Sequence, residues 1–247
     1  MNNTRNTKWF ETWFDSPYYH ILYKHRNCDE AEDLIDSLVN YFHPPKQARF
    51  LDLACGKGRH SIFLNKKGFD VTGIDLSPES IKFASACENE HLHFYVHDMR
   101  KLFRTNYFDY VLNMFTSFGY FDNAQDDKAT ISAVAKALKP KGIFVLDFFN
   151  ANKVVSSIKP QASVEVSGIT FKIDKKVENG FIVKNISFSD KGNDYAFEER
   201  VKVLDLEQFK NYFSSCGLKI IHLWGDYQLE AFNPETSDRL IIAATKE

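Results

Sequence analysis

Hydrophobic and polar residues follow two different periods along the chain, and the change falls near residue 150. Between residues 50 and 148, short apolar runs alternate with stretches in which apolar residues recur at helical spacing. The pattern predicts strands at 50–54, 70–74, 92–96, 107–113 and 142–148, with helices at 59–67, 78–88 and 125–138 between them. An amphipathic helix over residues 30–42 precedes the first strand. Alternating strands and helices predict a parallel sheet that helices cover on both faces.

After residue 150 the pattern becomes an alternation of apolar and polar residues, which is typical of antiparallel strands. Four such runs occupy residues 164–166, 170–177, 181–188 and 195–203, and Gly180 and Gly192 lie in two of the gaps between them. A helix at 205–216 and strands at 219–224 and 240–245 follow. We therefore expect an α/β protein of three parts: an N-terminal helical segment (1–45), a main domain (46–150 and 204–247) and an antiparallel β insertion (151–203).

The composition argues against several classes of protein. The 247 residues carry a formal net charge of −2, so the chain has no basic excess with which to neutralise a nucleic-acid backbone. No apolar run approaches the roughly 20 residues of a membrane span, and the polar start does not resemble a signal peptide, so we expect a cytoplasmic protein. The four cysteines form no C-x-x-C pair, which argues against a zinc site. Aromatic residues make up 15% of the chain, an excess that suits a pocket for an apolar or cationic ligand.

Residues 50–60 carry the clearest chemical signal. A hydrophobic strand runs into Gly56 and Gly58 and then into a helix, so a ligand can approach the backbone closely and the helix N-terminus offers free N–H groups. The next strand ends at Asp75, where a carboxylate can accept hydrogen bonds from both hydroxyls of a ribose. The third strand ends at Asp98-Met99, a pair that can take an adenine amino group and cover the adenine ring.

Two cofactor classes share this geometry, the nicotinamide dinucleotides and S-adenosylmethionine (SAM). Ser61 occupies the place of the third small residue that a dinucleotide fingerprint requires, so the spacing alone does not separate the two classes. Asp52 and the Asp98-Met99 pair do separate the two cofactor classes. A second carboxylate beside the loop would repel a pyrophosphate and attract an ammonium or sulfonium group. The residues therefore favour SAM, with a nicotinamide-dependent oxidoreductase as the alternative.

In this order the motifs resemble those of the class I SAM-dependent methyltransferases, and the resemblance spans nearly the whole chain. Leu51-Asp-Leu-Ala-Cys-Gly-Lys-Gly58 is similar to the family's glycine-rich loop, Asp75-Leu76 to its ribose site and Asp98-Met99 to its adenine site. The resemblance implies a Rossmann-like, mostly parallel sheet of seven strands, with helices on both faces and an antiparallel insertion after the fifth strand. It implies SAM as the cofactor, bound by residues that include Asp52, Ala54, Gly56, Gly58, Asp75, Leu76, Asp98, Met99 and Met114.

Two segments outside the main domain are expected to close over this site. Residues 17–26 resemble the lid of small-molecule methyltransferases, in which aromatic residues cover the cofactor and a basic residue meets its carboxylate. The resemblance assigns Tyr23 and Arg26 to these roles, and the alternative is an aromatic helix docked on the core. The insertion resembles that of glycine- and sugar-amine-type N-methyltransferases, which take small polar acceptors. We expect it to cover the acceptor, and a homodimer surface is its second expected role.

Few indispensable acid–base residues are expected, because methyl transfer from a sulfonium is an in-line displacement that depends mainly on positioning in a dry site. Tyr120 follows the fourth strand, where related amino-sugar N-methyltransferases carry a polar residue that faces the acceptor. Asp147 ends the fifth strand and could bind a substrate amine or hydroxyl, or cap a loop. His20 and His222 are further candidate bases. No metal site is expected.

The predicted function is SAM-dependent methyl transfer to the nitrogen or oxygen of a small molecule. The loop after the fourth strand reads Asn113-Met-Phe-Thr116. It lacks the Asn/Asp-Pro-Pro-aromatic sequence with which methyltransferases grip a nucleobase, which argues against a nucleic-acid substrate. A non-catalytic SAM-binding regulator is a second alternative to catalysis, because such a protein would share all of these features.

Overall fold

The computed structural model describes residues 9–24 and 28–247. Its strands are β1 Arg49–Leu53, β2 Asp70–Asp75, β3 Leu92–Val96, β4 Phe108–Asn113, β5 Leu138–Phe149, β6 Gln161–Val166, β7 Ile169–Glu178, β8 Phe181–Asp190, β9 Asn193–Lys202, β10 Leu218–Trp224 and β11 Arg239–Lys246. Its helices are α1 Trp9–Trp13, α2 Pro17–Leu22, α3 Cys28–Phe42, α4 Arg59–Lys66, α5 Pro78–Ala84, α6 Ala124–Ala137, α7 Ala151–Ser157 and α8 Leu206–Ser214. None of the described helices is long and apolar enough to cross a membrane.

A seven-stranded sheet with the order β10-β11-β5-β4-β1-β2-β3 forms the centre of the described chain. Strands β1 to β5 pair in parallel, and β11 pairs antiparallel with both β5 and β10. Apolar side chains of α6 and α8 pack on one face, and those of α3, α4 and α5 pack on the other. The structure therefore confirms the predicted Rossmann-like fold class. The carboxyl ends of β1 to β4 meet at one edge of this sheet, which is where open α/β folds bind ligands.

A second sheet is formed by β6 to β9, which pair in sequence as an antiparallel meander. We call it the cap sheet, and we call residues 9–24, with α1 and α2, the lid segment. The two pack together around a core that includes Trp13 and Leu22 from the lid segment and Phe171, Ile186 and Phe188 from the cap sheet. Alternate residues of β7 and β8 are buried, which is the period-two pattern of a sheet with one covered face.

The structure differs from the sequence prediction at three places. Helix α3 lies within the segment 1–45, yet Leu34, Ile35 and Leu38 pack against the seven-stranded sheet, whereas side chains of α1 and α2 pack on the cap sheet. Strand β5 begins at Leu138, directly after α6, because Leu138 already pairs with Phe108 of β4. Helix α7, of seven residues, precedes the cap sheet, where only strands were expected.

Candidate functional site

A cavity of about 330 Å³ lies at the carboxyl ends of β1 to β4. Its lower wall consists of the loops that follow these strands, together with the first residues of α4. Its upper wall is the lid segment, through Phe10, Phe14, Tyr19, His20 and Tyr23. The cavity therefore joins the two parts of the molecule that the sequence assigned to the cofactor and to its cover.

The loop between β1 and α4 uses its two glycines for different purposes. Both have positive φ, +54° at Gly56 and +79° at Gly58, a region that costs an ordinary L-residue about 1–2 kcal/mol. Gly56 lines the cavity, and a Cβ placed on it would meet no described protein atom within 4 Å, so the space beside its backbone is open to a ligand. Gly58 does not line the cavity. A Cβ there would lie 2.6 Å from the Phe94 ring, so this glycine allows α4 to pack closely against β3.

Asp75 at the end of β2 is held in a fixed orientation beside this loop. The Gly56 N–H donates to its Oδ2 and the Ser77 N–H to its Oδ1, each at 2.8 Å. Burial raises the pKa of Asp75, and these two backbone hydrogen bonds oppose that rise. A carboxylate has about four acceptor positions, so two backbone donors still leave it able to accept ribose hydroxyls. Leu76, expected at the ribose site, lines the cavity next to it.

Asp52 is a second buried carboxyl group in the same wall, only 1% exposed. Burial raises its pKa to about 6; the charge of Asp75 adds to the rise, and the Ser61 hydroxyl, which donates to Oδ2 at 2.6 Å, opposes it. Two neighbouring acids in a buried position are stabilised by a cation and destabilised by a phosphate. This pair of acids fits the ammonium and sulfonium groups of SAM, and Ala54 lines the cavity beside it.

Asp98 and Met99, after β3, line the cavity at the predicted adenine site. Arg100 holds the Asp98 carboxylate: Nε lies 2.9 Å from Oδ1 and Nη2 lies 2.6 Å from Oδ2. Burial acts to raise the pKa of Asp98, but the hydrogen bonds and charge of Arg100 outweigh it and lower the pKa. Arg100 also pairs with Asp126 at the start of α6 and lies over the ring of Phe121, another cavity residue. Met114, after β4, lines the cavity as well.

The lid segment is fastened to the cap sheet by a group of polar side chains. Glu199 Oε1 accepts hydrogen bonds from Trp13 Nε1 and from the Tyr23 hydroxyl, each at 2.6 Å. Lys184 pairs with Glu199 at 3.2 Å and also contacts the Tyr23 hydroxyl. Tyr23, expected to cover the cofactor, lines the cavity, while its hydroxyl is directed into the cap sheet. Arg26 lies outside the described residues.

The structure places two of the four candidate acid–base residues in the cavity wall and two outside it. Tyr120 lines the cavity, and its hydroxyl donates to the Thr116 carbonyl at 2.5 Å. His20 lines it too, and burial lowers the pKa of His20, with the charge of Lys57 adding to this effect and Asp15 opposing it. Asp147 and His222 do not line the cavity, and this corrects their assignment as catalytic candidates.

The two excluded residues have structural contacts instead. Asp147 is fully buried and forms an ion pair with Arg239 at 2.7 Å, so its carboxylate holds a loop, the alternative that the sequence had left open. His222 lies on β10 near the edge of the sheet. Its ring stacks on Trp224 at an interplanar angle of 13°, and a ring nitrogen is 3.1 Å from the Tyr41 hydroxyl.

The sequence analysis did not assign three cavity residues in the glycine loop and at the start of α4: Lys57, Arg59 and His60. Arg59 lies over the Phe115 ring at 4.8 Å, and His60 stacks on the same ring with the two ring centroids 5.2 Å apart. Burial lowers the pKa of His60 to about 3, and the charge of Arg59 adds to this effect, so the imidazole is neutral. Its Nε2 is buried and has no hydrogen-bond partner among the described residues. The signal that could have located these three residues is their position in and directly after the glycine loop.

Comparison with known proteins agrees with this geometry. Residues 50–142 match the family model described as "Methyltransferase domain". The chain is 30% identical over 241 residues to "Putative methyltransferase YqeM" of Bacillus subtilis (strain 168), covering 92% of this chain and 94% of the relative. It is 27% identical to the glycine/sarcosine N-methyltransferase of Aphanothece halophytica, covering 96% and 88%. Among solved structures, the SAM-bound amino pentose methyltransferase CalS10 from Micromonospora echinaspora superposes with a TM-score of 0.71 at 21% identity, covering 94% and 98%.

The fold, the site and these relatives define the class of protein. The chain belongs to the SAM-dependent methyltransferases, and SAM is its cofactor. It is an enzyme of methyl transfer, and this interpretation is favoured over the nicotinamide-dependent oxidoreductase and the non-catalytic regulator.

Proposed function

We propose that the protein methylates the nitrogen of a small polar amine. The observation that carries the proposal is that the aromatic wall of the lid segment and the buried acids of β1 and β2 face one cavity. SAM supplies the methyl group, which it carries on a positively charged sulfur. An amine nitrogen passes from neutral to cationic as it is methylated, and aromatic faces stabilise a cation of this kind.

Each group of residues has a distinct task in this proposal. The Gly56 backbone, Asp52, Asp75 and Asp98 bind the cofactor, and the lid segment excludes water from it. Tyr120 orients the acceptor: its hydroxyl donates to the Thr116 carbonyl, and a phenol oxygen in that arrangement can accept a hydrogen bond from an amine. His20 has a lowered pKa and is therefore neutral at pH 7, so it can take the proton that the amine loses.

The relatives support an amine rather than a hydroxyl acceptor, because the named N-methyltransferases among them act on glycine or sarcosine and on nucleotide-linked amino sugars. Those substrates guide the choice of a first panel. The lid segment is proposed to select the acceptor, since its aromatic residues line the cavity. The cap sheet, none of whose residues line the cavity, is proposed to act by holding the lid segment in place.

The test is transfer of radiolabelled methyl groups from SAM to a panel of acceptors at pH 7. The panel contains glycine, sarcosine and nucleoside-diphosphate amino sugars, each paired with its hydroxyl analogue. Label is expected in one amine class and absent from the matched hydroxyl compounds. Label in a hydroxyl compound alone would overturn the assignment of nitrogen as the acceptor atom.

A further inference from the structure

The loop after β4 contains two successive residues with left-handed backbone conformations. The φ angles are +56° at Phe115 and +63° at Thr116, and neither residue is a glycine. Such angles are uncommon for aromatic and β-branched residues, and they persist only where the surrounding structure imposes them. Phe115 lines the cavity, so this strained backbone is part of the wall of the site.

Two residues that lie outside the cavity lining impose this conformation. Asp147 of β5 accepts a hydrogen bond from the Phe115 N–H at Oδ2, at 2.8 Å, and one from the Thr116 N–H at its carbonyl, at 3.0 Å. Arg239, the first residue of β11, donates from Nη2 to the Thr116 hydroxyl at 3.0 Å. Both strained residues are therefore bonded to this pair through their backbone or side chain.

Asp147 and Arg239 also fix each other. Arg239 Nε and Nη2 lie 2.8 Å and 2.7 Å from Asp147 Oδ1, an arrangement in which a planar guanidinium sets both direction and distance. Asp147 is fully buried, whereas the Arg239 side chain is 20% exposed. Tyr227 adds a longer contact to Asp147 Oδ2 at 3.4 Å. The pair joins β5, β11 and the loop after β4 into one polar cluster.

The strained loop transmits this restraint to the acceptor side of the cavity. The carbonyl of Thr116 receives the Tyr120 hydroxyl, so the position of Thr116 determines where that hydroxyl lies. The next residue, Ser117, also lines the cavity, and its hydroxyl donates to the Met114 carbonyl at 2.8 Å. Movement of Thr116 would therefore displace cavity groups on both sides of it.

We propose that Asp147 and Arg239 are positioning residues that hold the Phe115–Thr116 backbone in its left-handed conformation and thereby place the Tyr120 hydroxyl against the acceptor. The role in acceptor placement rests on the proposed function. The pair itself touches neither the cofactor side nor the acceptor side of the cavity. It acts on the reaction only through the loop.

The test measures amide hydrogen exchange in the peptide spanning residues 113–121, with S-adenosylhomocysteine bound, in wild type and in Arg239→Met. Exchange in this peptide should become about 10–100-fold faster in the variant, the range for losing a hydrogen bond to a charged donor. The affinity for S-adenosylhomocysteine, measured by calorimetry, should stay within about threefold, because most of the proposed cofactor contacts, among them Gly56, Asp75 and Asp98, lie at the ends of β1 to β3. With a methylated amine from the panel, kcat should fall more than KM rises.

Lys139→Met is the matched control. Lys139 pairs with Asp109 at 2.8 Å near the amino end of β4, far from the cavity, so its loss removes an ion pair without touching the loop. Should Arg239→Met fail to fold, Thr116→Val keeps the side-chain shape and the Asp147–Arg239 pair but removes the acceptor for Nη2. Amide hydrogen exchange in residues 113–121 of this variant should also be faster than in wild type.

Unchanged exchange of residues 113–121 in both loop variants, or an equal change in Lys139→Met, would overturn the proposal. The exchange measurement uses S-adenosylhomocysteine and no acceptor. Failure of every amine in the panel would therefore count against the proposed function and leave the result on the loop standing.

Discussion

The cofactor side of the cavity, at the ends of β1 to β3, and the proposed acceptor side, formed by the loop after β4 and the lid segment, are built on different principles. On the cofactor side, the groups are close in sequence: Asp75 accepts from Gly56, nineteen residues away, and from Ser77, two residues away. On the acceptor side, the partners are far apart: Trp13 and Glu199 are separated by 186 residues, and Thr116 and Arg239 by 123. Backbone geometry at strand ends organises the first side, and tertiary packing organises the second.

The two sides also differ in the chemistry that they present. The cofactor side offers two carboxyl groups, the buried Asp52 and the partly buried Asp75, beside an open glycine backbone. The acceptor side offers rings that contact one another, with Phe14 at 5.0 Å from Tyr19 and at 5.2 Å from Tyr120. Acids select a cation by charge, whereas rings accept many shapes. In the proposed function, this division holds one cofactor and leaves the choice of acceptor to the lid segment, which packs on the cap sheet.

The largest effect is expected on the cofactor side, from Asp75→Ala. The change removes the acceptor for two ribose hydroxyls, each worth about 1.5–3 kcal/mol, so SAM affinity should fall about 10²–10⁴-fold by calorimetry. Asp174→Ala, on an exposed position of the cap sheet, is the control and should bind SAM as wild type does. Wild-type affinity in Asp75→Ala would show that the ribose site is elsewhere.

Tyr120→Phe tests the acceptor side alone. If the hydroxyl orients or deprotonates the acceptor, kcat should fall about 10²–10⁴-fold while SAM affinity and the melting temperature stay the same. Turnover of the identified amine at two pH values, with a melting curve, measures this. Tyr18→Phe removes a hydroxyl that donates to Asp190 in the cap at 2.8 Å, and its kcat should be unchanged. An equal kcat in both variants would remove Tyr120 from the reaction and leave His20 as the next residue to test.

Gly58 and Gly168 have nearly equal φ angles, so a comparison of the two distinguishes the energetic cost of close packing from that of the backbone conformation. Gly58→Ala places a Cβ 2.6 Å from Phe94 at φ +79°, so the free energy of unfolding should fall by about 2–5 kcal/mol, the sum of a left-handed alanine and an overpacked contact. Gly168→Ala, at φ +78° with no described atom within 4 Å, should cost only about 1–2 kcal/mol. Denaturant unfolding compares them. Equal losses would mean that the Phe94 ring moves aside freely.

The smallest expected effect is the pH dependence that Asp52 gives to SAM binding. Its pKa of about 6 means that below pH 6 it holds a proton, which must leave before the carboxylate can pair with the cationic cofactor. SAM affinity should therefore fall about tenfold from pH 7 to pH 5. In Asp52→Asn this part of the dependence should be lost, while contributions from Asp75 and His20 remain in both proteins. Parallel pH profiles for the two proteins would contradict the assignment.

The sequence by itself determined the sheet and most of the cofactor side. The period of apolar residues specified the strands, because a strand buried on both faces must be apolar along its length. Gly56, Asp75 and Asp98 could be located because a ligand at strand ends requires open backbone and an acceptor at fixed places in a short segment. Those requirements involve residues that are close together in the chain, so they can be recognised in a short stretch of sequence.

Only the tertiary structure decided which of the remaining polar residues face the cavity. Asp147 lies near the end of β5 and Tyr120 follows β4, and these strands end at the same edge, yet Asp147 is directed to Arg239, 92 residues away, and Tyr120 to the cavity. His222 has no sequence feature that separates it from His20, and the stacking on Trp224 comes from the neighbouring positions on β10 together with α3. Side-chain direction at these positions depends on contacts with residues from distant segments of the chain. A single sequence does not show which distant segments pack together.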